Sequence, residues 1–292
     1  MTGRSAPIDL FTVTSRDFVP GTQVMLESFL QQNDWFDGRI VLLHDDLDET
    51  TQHDFGRLFA GLECRTPAPD LCERVDRLVA QFPKLSGRKR RFYSLDLFGG
   101  DTGAAALFID SDMMFRGSVE RALVSGARIA ACGDRALLSG NTRDSESLAE
   151  VPVSREVSEF RSFNAGFMLV APELRTSKAR EAVLGHLDPV RWARISSDHT
   201  DQAVLNSCFG QEVHILDPTY NLMLGHVERI AVEHRIPARE AIGLHFNGPA
   251  KPWLLGEQVE AMSRNADYAF GLAQWHGAYR RFLARREAGP TG

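Results

Sequence analysis

The residues with the clearest chemical potential are two acids closing an apolar run, Ala105-Ala106-Leu107-Phe108-Ile109-Asp110-Ser111-Asp112. An unbroken apolar run reads as a strand buried on both faces, as in a sheet covered by helices. Ionised carboxylates at the end of such a strand are costly unless something pairs with them. Asp110 and Asp112 lie one residue apart, so in an extended chain both point the same way. Two converging carboxylates suit a hard divalent cation, Mn²⁺ or Mg²⁺, and such a cation suits a diphosphate. The competing reading is a strand that ends in an Asx turn, with both acids in water.

The elements that must position these acids follow from apolar runs and breaks. Ile8 to Val13 is a short strand ending in Thr14-Ser15-Arg16-Asp17, and the segment after Pro20-Gly21 has helical spacing. Gly38 to His44 is a second strand, and a polar helix is predicted from Glu49 to Phe59. This alternation predicts an α/β domain with parallel strands. A basic segment, Lys84 to Leu97, turns into a helix, and Gly99 to Gly103 is a turn into the strand that ends at Asp110. The acids therefore sit at the carboxyl end of a strand, where open α/β sheets bind ligands. Further strands are predicted at Arg128 to Cys132, Phe163 to Val170, Val213 to Leu216 and Ala241 to Phe246. Helices are predicted at Pro172 to Leu187, Thr200 to Cys208 and Asn265 to Arg286. Leu137 to Phe160 is polar and charge-rich and reads as a surface excursion or lid.

Composition narrows the function classes. With 33 basic against 39 acidic residues the net charge is −6, which argues against a general nucleic-acid binder. Cys64, Cys72, Cys132 and Cys208 form no C-x-x-C pair, so neither a zinc module nor a disulfide scaffold is expected. No apolar run approaches the length of a membrane span, and the N-terminus lacks a signal-peptide stretch. The expected location is the cytoplasm, and the Ala/Arg/Asp-rich flavour suggests a bacterium.

Four short signals occur in a fixed order: Phe108-Ile109-Asp110-Ser111-Asp112, Phe163-Asn164-Ala165-Gly166, Asp201 through Asn206, and His245-Phe246-Asn247-Gly248-Pro249-Ala250-Lys251-Pro252-Trp253. Together they resemble the family 8 glycosyltransferases, the group of glycogenin and the bacterial lipooligosaccharide galactosyltransferases. The likeness runs from about Leu10 to Trp253. The family's usual ending has one residue between His and Gly; here there are two, Phe246 and Asn247.

The resemblance implies a GT-A fold, a Rossmann-like mixed central β-sheet flanked by helices in a single domain. That domain would span 1–262, with a nucleotide-binding half at about 1–115 and an acceptor and sugar half at about 116–262. Residues 263–292 would form a basic amphipathic helix or tail. The activity implied is a metal-dependent, retaining transfer of a hexose from a UDP-sugar donor (UDP-glucose, UDP-galactose or UDP-N-acetylglucosamine) to a hydroxyl acceptor in bacterial glycan or glycoconjugate synthesis. That acceptor would be a saccharide, a lipid-linked glycan or another hydroxyl compound. Asp110, Asp112 and His245 would hold Mn²⁺, with Mg²⁺ as the alternative, and Ser111 lies between the two acids. The imidazole favours Mn²⁺. Lys251 would meet the diphosphate as a point charge, and Gly248 would let backbone approach it without a Cβ.

By the same resemblance, Thr12, Thr14, Ser15 and Arg16 would line the uracil and ribose pocket, although the family often has Asn where this chain has Arg16. Of Arg88, Lys89, Arg90 and Arg91, Lys89 and Arg91 are favoured to reach the donor, while at least two of the four form a solvated basic face. Asp134, Asn164, Asp201 and Gln202 would surround the transferred sugar, with Gln202 opposite the nucleotide. An amide is a poor nucleophile, so same-face attack is favoured over a covalent intermediate of the glycosidase type.

Each site residue also has a plain structural reading: Thr in a strand, Asp201 as a first-turn acid of a helix, His245 as a satisfied buried histidine. Two rivals keep the fold: an inactive nucleotide-sugar-binding scaffold and a nucleotide-sugar hydrolase. The C-terminal mix of aromatics and arginines, Trp275 to Arg286, would either dock peripherally on the inner membrane face or pack on the body.

Overall fold

The computed structural model describes residues 7–100, 103–124, 126–134, 163–195, 199–210, 212–225 and 236–288. Its strands are β1 (Ile8–Val13), β2 (Ile40–Leu43), β3 (Leu62–Arg65), β4 (Ala105–Ile109), β5 (Met113–Phe115), β6 (Ile129–Gly133), β7 (Phe163–Val170), β8 (His214–Leu216), β9 (Leu222–Met223) and β10 (Gly243–His245). Seven of them form one mixed sheet in the order β3-β2-β1-β4-β7-β6-β8. β4 runs parallel to β1, and β7 runs antiparallel to both β4 and β6. The unbroken apolar runs of the sequence are these central strands, buried on both faces as their lack of alternation requires.

Successive side chains of each strand enter opposite cores. Phe11, Val41, Leu43, Ala106 and Phe108 pack with Leu71, Val75 and Leu78 of the helix Pro69–Gln81 and with Val204 and Leu205 of the helix Thr200–Phe209. Leu10, Ile40, Leu42, Leu107 and Ile109 pack with Met25, Leu26 and Phe29 of the helix Val19–Gln32, Phe55, and Phe282 of the C-terminal helix Ala266–Ala288. The period of two thus builds a sheet between two helical layers.

A second sheet, β5-β10-β9, stands over the carboxyl end of the first. β5 pairs antiparallel with β10, and His245 lies opposite Met113. Beneath it, Leu222, Leu244, Phe246, Tyr268 and Trp275 form a third core. This small sheet carries His245 to the acids that follow β4.

The sequence-based expectations need adjusting in several elements. Lys84 to Leu97 lies within a run of 3₁₀ turns over Pro83–Phe98. Pro172 to Leu187 is broken into Pro172–Leu174, Ser177–Leu184 and Gly185–Leu187, because the Thr176 hydroxyl caps a new helix by accepting from the Ala179 amide. β3 has no apolar run, Leu62-Glu63-Cys64-Arg65, since it is an edge strand. The proposed lid, Leu137 to Phe160, lies outside the described residues.

The C-terminal helix buries Tyr268, Trp275, Ala278 and Phe282 in the body. Arg285 pairs with Glu27, and Arg286 with Asp54. Its aromatic face is therefore committed to packing. Among the described residues, no helix is long and apolar enough to cross a membrane.

Candidate active site

β4 ends at Ile109, and Asp110-Ser111-Asp112 form a tight turn in which the Met113 amide donates to the Asp110 carbonyl at 3.1 Å. The two carboxylates converge because of this turn, not because the strand stays extended. The Phe246 amide donates to the Asp112 carbonyl at 3.0 Å, which fixes β10 against the turn. His245 Nε2 then lies 3.0 Å from Asp112 Oδ1 and 3.6 Å from Asp110 Oδ2. One ligand atom from each of Asp110, Asp112 and His245 lies within 4.8 Å of the others. Two carboxylates and an imidazole around one point match the donor set of a borderline divalent cation. His245 and Asp112 are buried, whereas the Asp110 side chain is 41% exposed.

Lys251 Nζ donates to Asp112 Oδ2 at 2.5 Å and to the Phe246 carbonyl at 2.6 Å. Burial disfavours the Asp112 anion, but Lys251 and His245 outweigh it and hold the carboxyl well below the usual range. Burial and the neighbouring Asp112 push Asp110 the other way, upward. With both carboxyls ionised the pair would carry more negative charge than its partners balance, and Asp110 therefore holds its proton more readily than a free carboxyl.

The loop carrying Lys251 is held by shape. Gly248 has φ +78°, in the left-handed region that glycine enters without strain. Trp253 Nε1 donates to the Asp17 carbonyl at 2.8 Å, and its ring lies edge-on to Phe18. A Cβ on Gly21 would come within 2.5 Å of Trp253 and 2.7 Å of the Ser111 carbonyl. The start of the helix Val19–Gln32, the acid turn and the Lys251 loop thus share one close contact.

A polar network lies beside the acids, between β7 and the helix Thr200–Phe209. Asn164 Nδ2 donates to Gln202 Oε1 at 3.1 Å and to Asp134 Oδ2 at 3.3 Å, and Gln202 Nε2 donates to Asp134 Oδ2 at 2.9 Å. Asn206 clamps the helix to β7 by accepting from the Phe163 amide at 2.9 Å and donating to the Phe163 carbonyl at 2.8 Å. Asp201 accepts from Ser94 Oγ at 2.7 Å and Thr200 Oγ1 at 3.0 Å. Burial raises its pKa against the opposing pull of Ser94, Arg91 and Thr200. Thr200 has φ +24°, unusual for a β-branched residue, at the start of this helix.

The remaining candidates are placed unevenly. Thr12 is fully buried, and its hydroxyl has no hydrogen-bond partner among the described residues. The Thr14 and Thr22 hydroxyls share a 2.7 Å hydrogen bond, and Ser15 is buried at the end of β1. The Arg16 amide donates to Asp46 Oδ1 at 3.0 Å, and its guanidinium to the Asp46 carbonyl at 3.3 Å. In the basic run, Lys89 pairs with Asp76 at 2.6 Å, and Arg90 pairs with Asp45 and Asp46. Arg91 is the member whose charge acts on both Asp110 and Asp201. Sequence reasoning missed Ser94 and Asn221. Neutral polar residues outside a motif give no signal of this kind.

The profile of Glycosyl transferase family 8 matches residues 9–255. The chain belongs to glycosyltransferase family 8. Among solved structures, the galactosyltransferase LgtC in complex with donor and acceptor sugar analogues is similar, with TM-score 0.64, 18% identity, and coverage of 92% of this chain and 99% of that one. The glycosyltransferase GlyE of Streptococcus pneumoniae TIGR4 has TM-score 0.56 at 17% identity, covering 94% of this chain and 64% of that one. Mouse xyloside xylosyltransferase 1 has TM-score 0.51 at 15% identity, covering 82% and 98%. No curated protein matches the chain by sequence. The mixed sheet with its small second sheet is the GT-A fold expected of family 8.

Proposed function

We propose that this family 8 enzyme moves a hexose from a UDP-sugar to a hydroxyl acceptor with retention of anomeric configuration. The observation that carries the reading is the meeting of Asp110, Asp112 and His245 beside Lys251, at the carboxyl end of β4. Asp110, Asp112 and His245 would hold Mn²⁺. When bound, that cation supplies Lewis-acid charge for the departing diphosphate.

The protein's own residues do the rest. Lys251, already desolvated, gives the phosphates a fixed positive charge. Gly248 lets the backbone of that loop come close. Asp134, Asn164 and Asp201 orient the sugar hydroxyls through acceptors and donors that the network has aligned. Gln202 faces the anomeric carbon as an amide dipole, so charge that develops there is steadied without a covalent bond to the protein. The acceptor hydroxyl attacks from the face the phosphate leaves, and its proton passes to that phosphate.

The test is a thermal-shift panel of UDP, UDP-glucose, UDP-galactose and UDP-N-acetylglucosamine, each with and without Mn²⁺. Ligands that bind only the folded state raise Tm according to affinity, so the panel ranks donors. The expected outcome is a Mn²⁺-dependent shift with UDP and a larger one with a single sugar. Equal shifts with and without Mn²⁺ would remove the metal from the reading.

A further inference from the structure

We propose that Asn221 is a positioning residue that fixes the tautomer of His245 and joins the metal end of the site to the sugar end. The proposal rests on the reading of His245 as a ligand. Asn221 follows the turn Pro218–Tyr220 and is fully buried. Its side chain touches both ends: Nδ2 donates to Asn164 Oδ1 at 2.9 Å, and Oδ1 lies 2.9 Å from His245 Nδ1.

The polarity of this chain is set by a group that cannot flip. The Gly166 backbone amide donates to Asn164 Oδ1 at 2.9 Å. A main-chain N–H is only a donor, so the atom it meets must be the oxygen of Asn164. The Asn221 atom facing that same oxygen must then be its NH₂. Its own oxygen is thereby turned to His245, and it can only accept. His245 must carry a proton on Nδ1, so in the neutral ring, the form that can ligate a metal, the lone pair is on Nε2. Nε2 lies 3.0 Å from Asp112 Oδ1 and 3.6 Å from Asp110 Oδ2. Three lone-pair groups turned to one point form a cation's shell, and a ligand imidazole is commonly fixed in this way through its other nitrogen.

Gly166 is bound into the same arrangement by sterics. A Cβ there would lie 2.5 Å from His245 Cε1, 2.8 Å from Asn164 Oδ1 and 2.8 Å from Asp110 Oδ2. The residue whose amide sets the polarity therefore also has to be small. The other hydrogen bonds of Asn164, to Gln202 and Asp134, follow from the same orientation. One chain of amides, Asn221 to Asn164 to Gln202, thus links the imidazole to the sugar-facing groups.

Two variants separate the ends. Asn221→Asp keeps an acceptor for His245 Nδ1–H but loses the donor to Asn164. Asn221→Ala loses both. Long-range ¹H–¹⁵N spectra of ¹⁵N-histidine protein, with His245 assigned by difference against His245→Asn, report the tautomer without metal or activity. Wild type and Asn221→Asp are expected to show the Nδ1–H form, and Asn221→Ala to lose it. Mn²⁺ titrated alone, read by the free-ion EPR signal, is expected to bind Asn221→Ala about 10- to 100-fold more weakly and Asn221→Asp within about threefold of wild type. In donor kinetics, Asn221→Asp is expected to lose about tenfold in kcat with KM little changed, as for an interaction made mainly in the transition state.

A wild-type ring with Nδ1 unprotonated overturns the proposal. So does an Asn221→Ala protein that is folded, binds Mn²⁺ as wild type does and keeps the Nδ1–H form. Should wild-type protein take up no Mn²⁺, that failure belongs to the metal reading, and the tautomer alone then supports or overturns the role of Asn221.

Discussion

Two buried acid–base clusters stand at opposite ends of the central sheet, and they balance charge differently. Near the amino end of β1, Asp9 meets two arginines: Arg39 at 2.7 Å and Arg175 at 3.1 Å. Arg175 is 2% exposed and also donates to the carbonyls of Leu97, Ala104 and Ala105. Both carboxylate oxygens have partners, and the surplus positive charge belongs to Arg39, which is half in water. Past the carboxyl end of β4, the surplus is negative. Asp110 and Asp112 face one Lys251 and an imidazole. A closed cluster of this sort secures the fold, whereas an open one has room for a cation. The sign and the exposure of the surplus separate the two roles, although both clusters pair carboxylates with basic side chains.

The sharpest way to break this comparison is Asp110→Asn. It removes the surplus charge while leaving Lys251 paired with Asp112. The loss of a ligand oxygen and its charge is expected to lower kcat/KM by about 10³-fold, the several kcal/mol that a metal's transition-state charge contributes. Urea unfolding of the metal-free protein should show stability equal to or above wild type, because the repulsion with Asp112 is gone. A variant that keeps near-normal turnover at saturating Mn²⁺ would make the open cluster structural after all.

The mirror experiment is Asp9→Asn. It strips the anion from a buried Arg175, so stability is expected to fall by about 3–5 kcal/mol, as when one partner of a buried pair is removed. The kcat/KM of the folded fraction should stay within twofold of wild type, a difference below about 0.5 kcal/mol. The pH dependence gives a second reading of the same cluster. Burial disfavours ionised Asp9, but Arg39 and Arg175 outweigh it and lower its pKa below the ordinary value. A lowered carboxylate pKa stabilises the fold above the unfolded-state value and loses that contribution as pH falls through the folded-state value. The wild-type advantage over Asp9→Asn should therefore be constant from pH 5 to 8, well above the unfolded value of about 3.9, and shrink below pH 4. An advantage that does not change with pH would mean the ion pair adds nothing to the fold.

How each cluster could be read from sequence follows from the same physics. β1, β2, β4, β6 and β7 were legible because a strand buried on both faces has no polar alternation. The open cluster was legible because ligands occur as charged residues at fixed spacings, Asp110-Ser111-Asp112 and His245 to Lys251. The closed cluster was not: Asp9, Arg39 and Arg175 lie far apart in sequence, and nothing local pairs Asp9 with either arginine or marks Arg175 as buried. Asn221 and Ser94 were illegible for a related reason, since their roles arise only from packing of β10 and the helix Thr200–Phe209 against their turns. Convergence of Asp110 and Asp112 was expected from an extended strand, yet a turn produces it.

The basic run shows the limit of residue type alone and offers the finest test. Arg88, Lys89, Arg90 and Arg91 are adjacent in sequence, and spacing cannot say which faces the acids. The structure separates two of the four by their partners. Lys89, 32% exposed, pairs with Asp76, whereas the charge of Arg91 favours the ionised forms of Asp110 and Asp201. Lys89→Ala should change kcat/KM by no more than about twofold, since an exposed ion pair contributes roughly 0–1 kcal/mol and lies off the site. Arg91→Ala is expected to lower kcat/KM about tenfold, on the order of one hydrogen bond to a charged group. Mn²⁺ affinity in Arg91→Ala should be unchanged or tighter, because a cation near the acids has been removed. Should Lys89→Ala be the more damaging substitution, the basic run must reach the donor by its other face, and the open cluster would draw its neutralising charge from a side different from the one its geometry indicates.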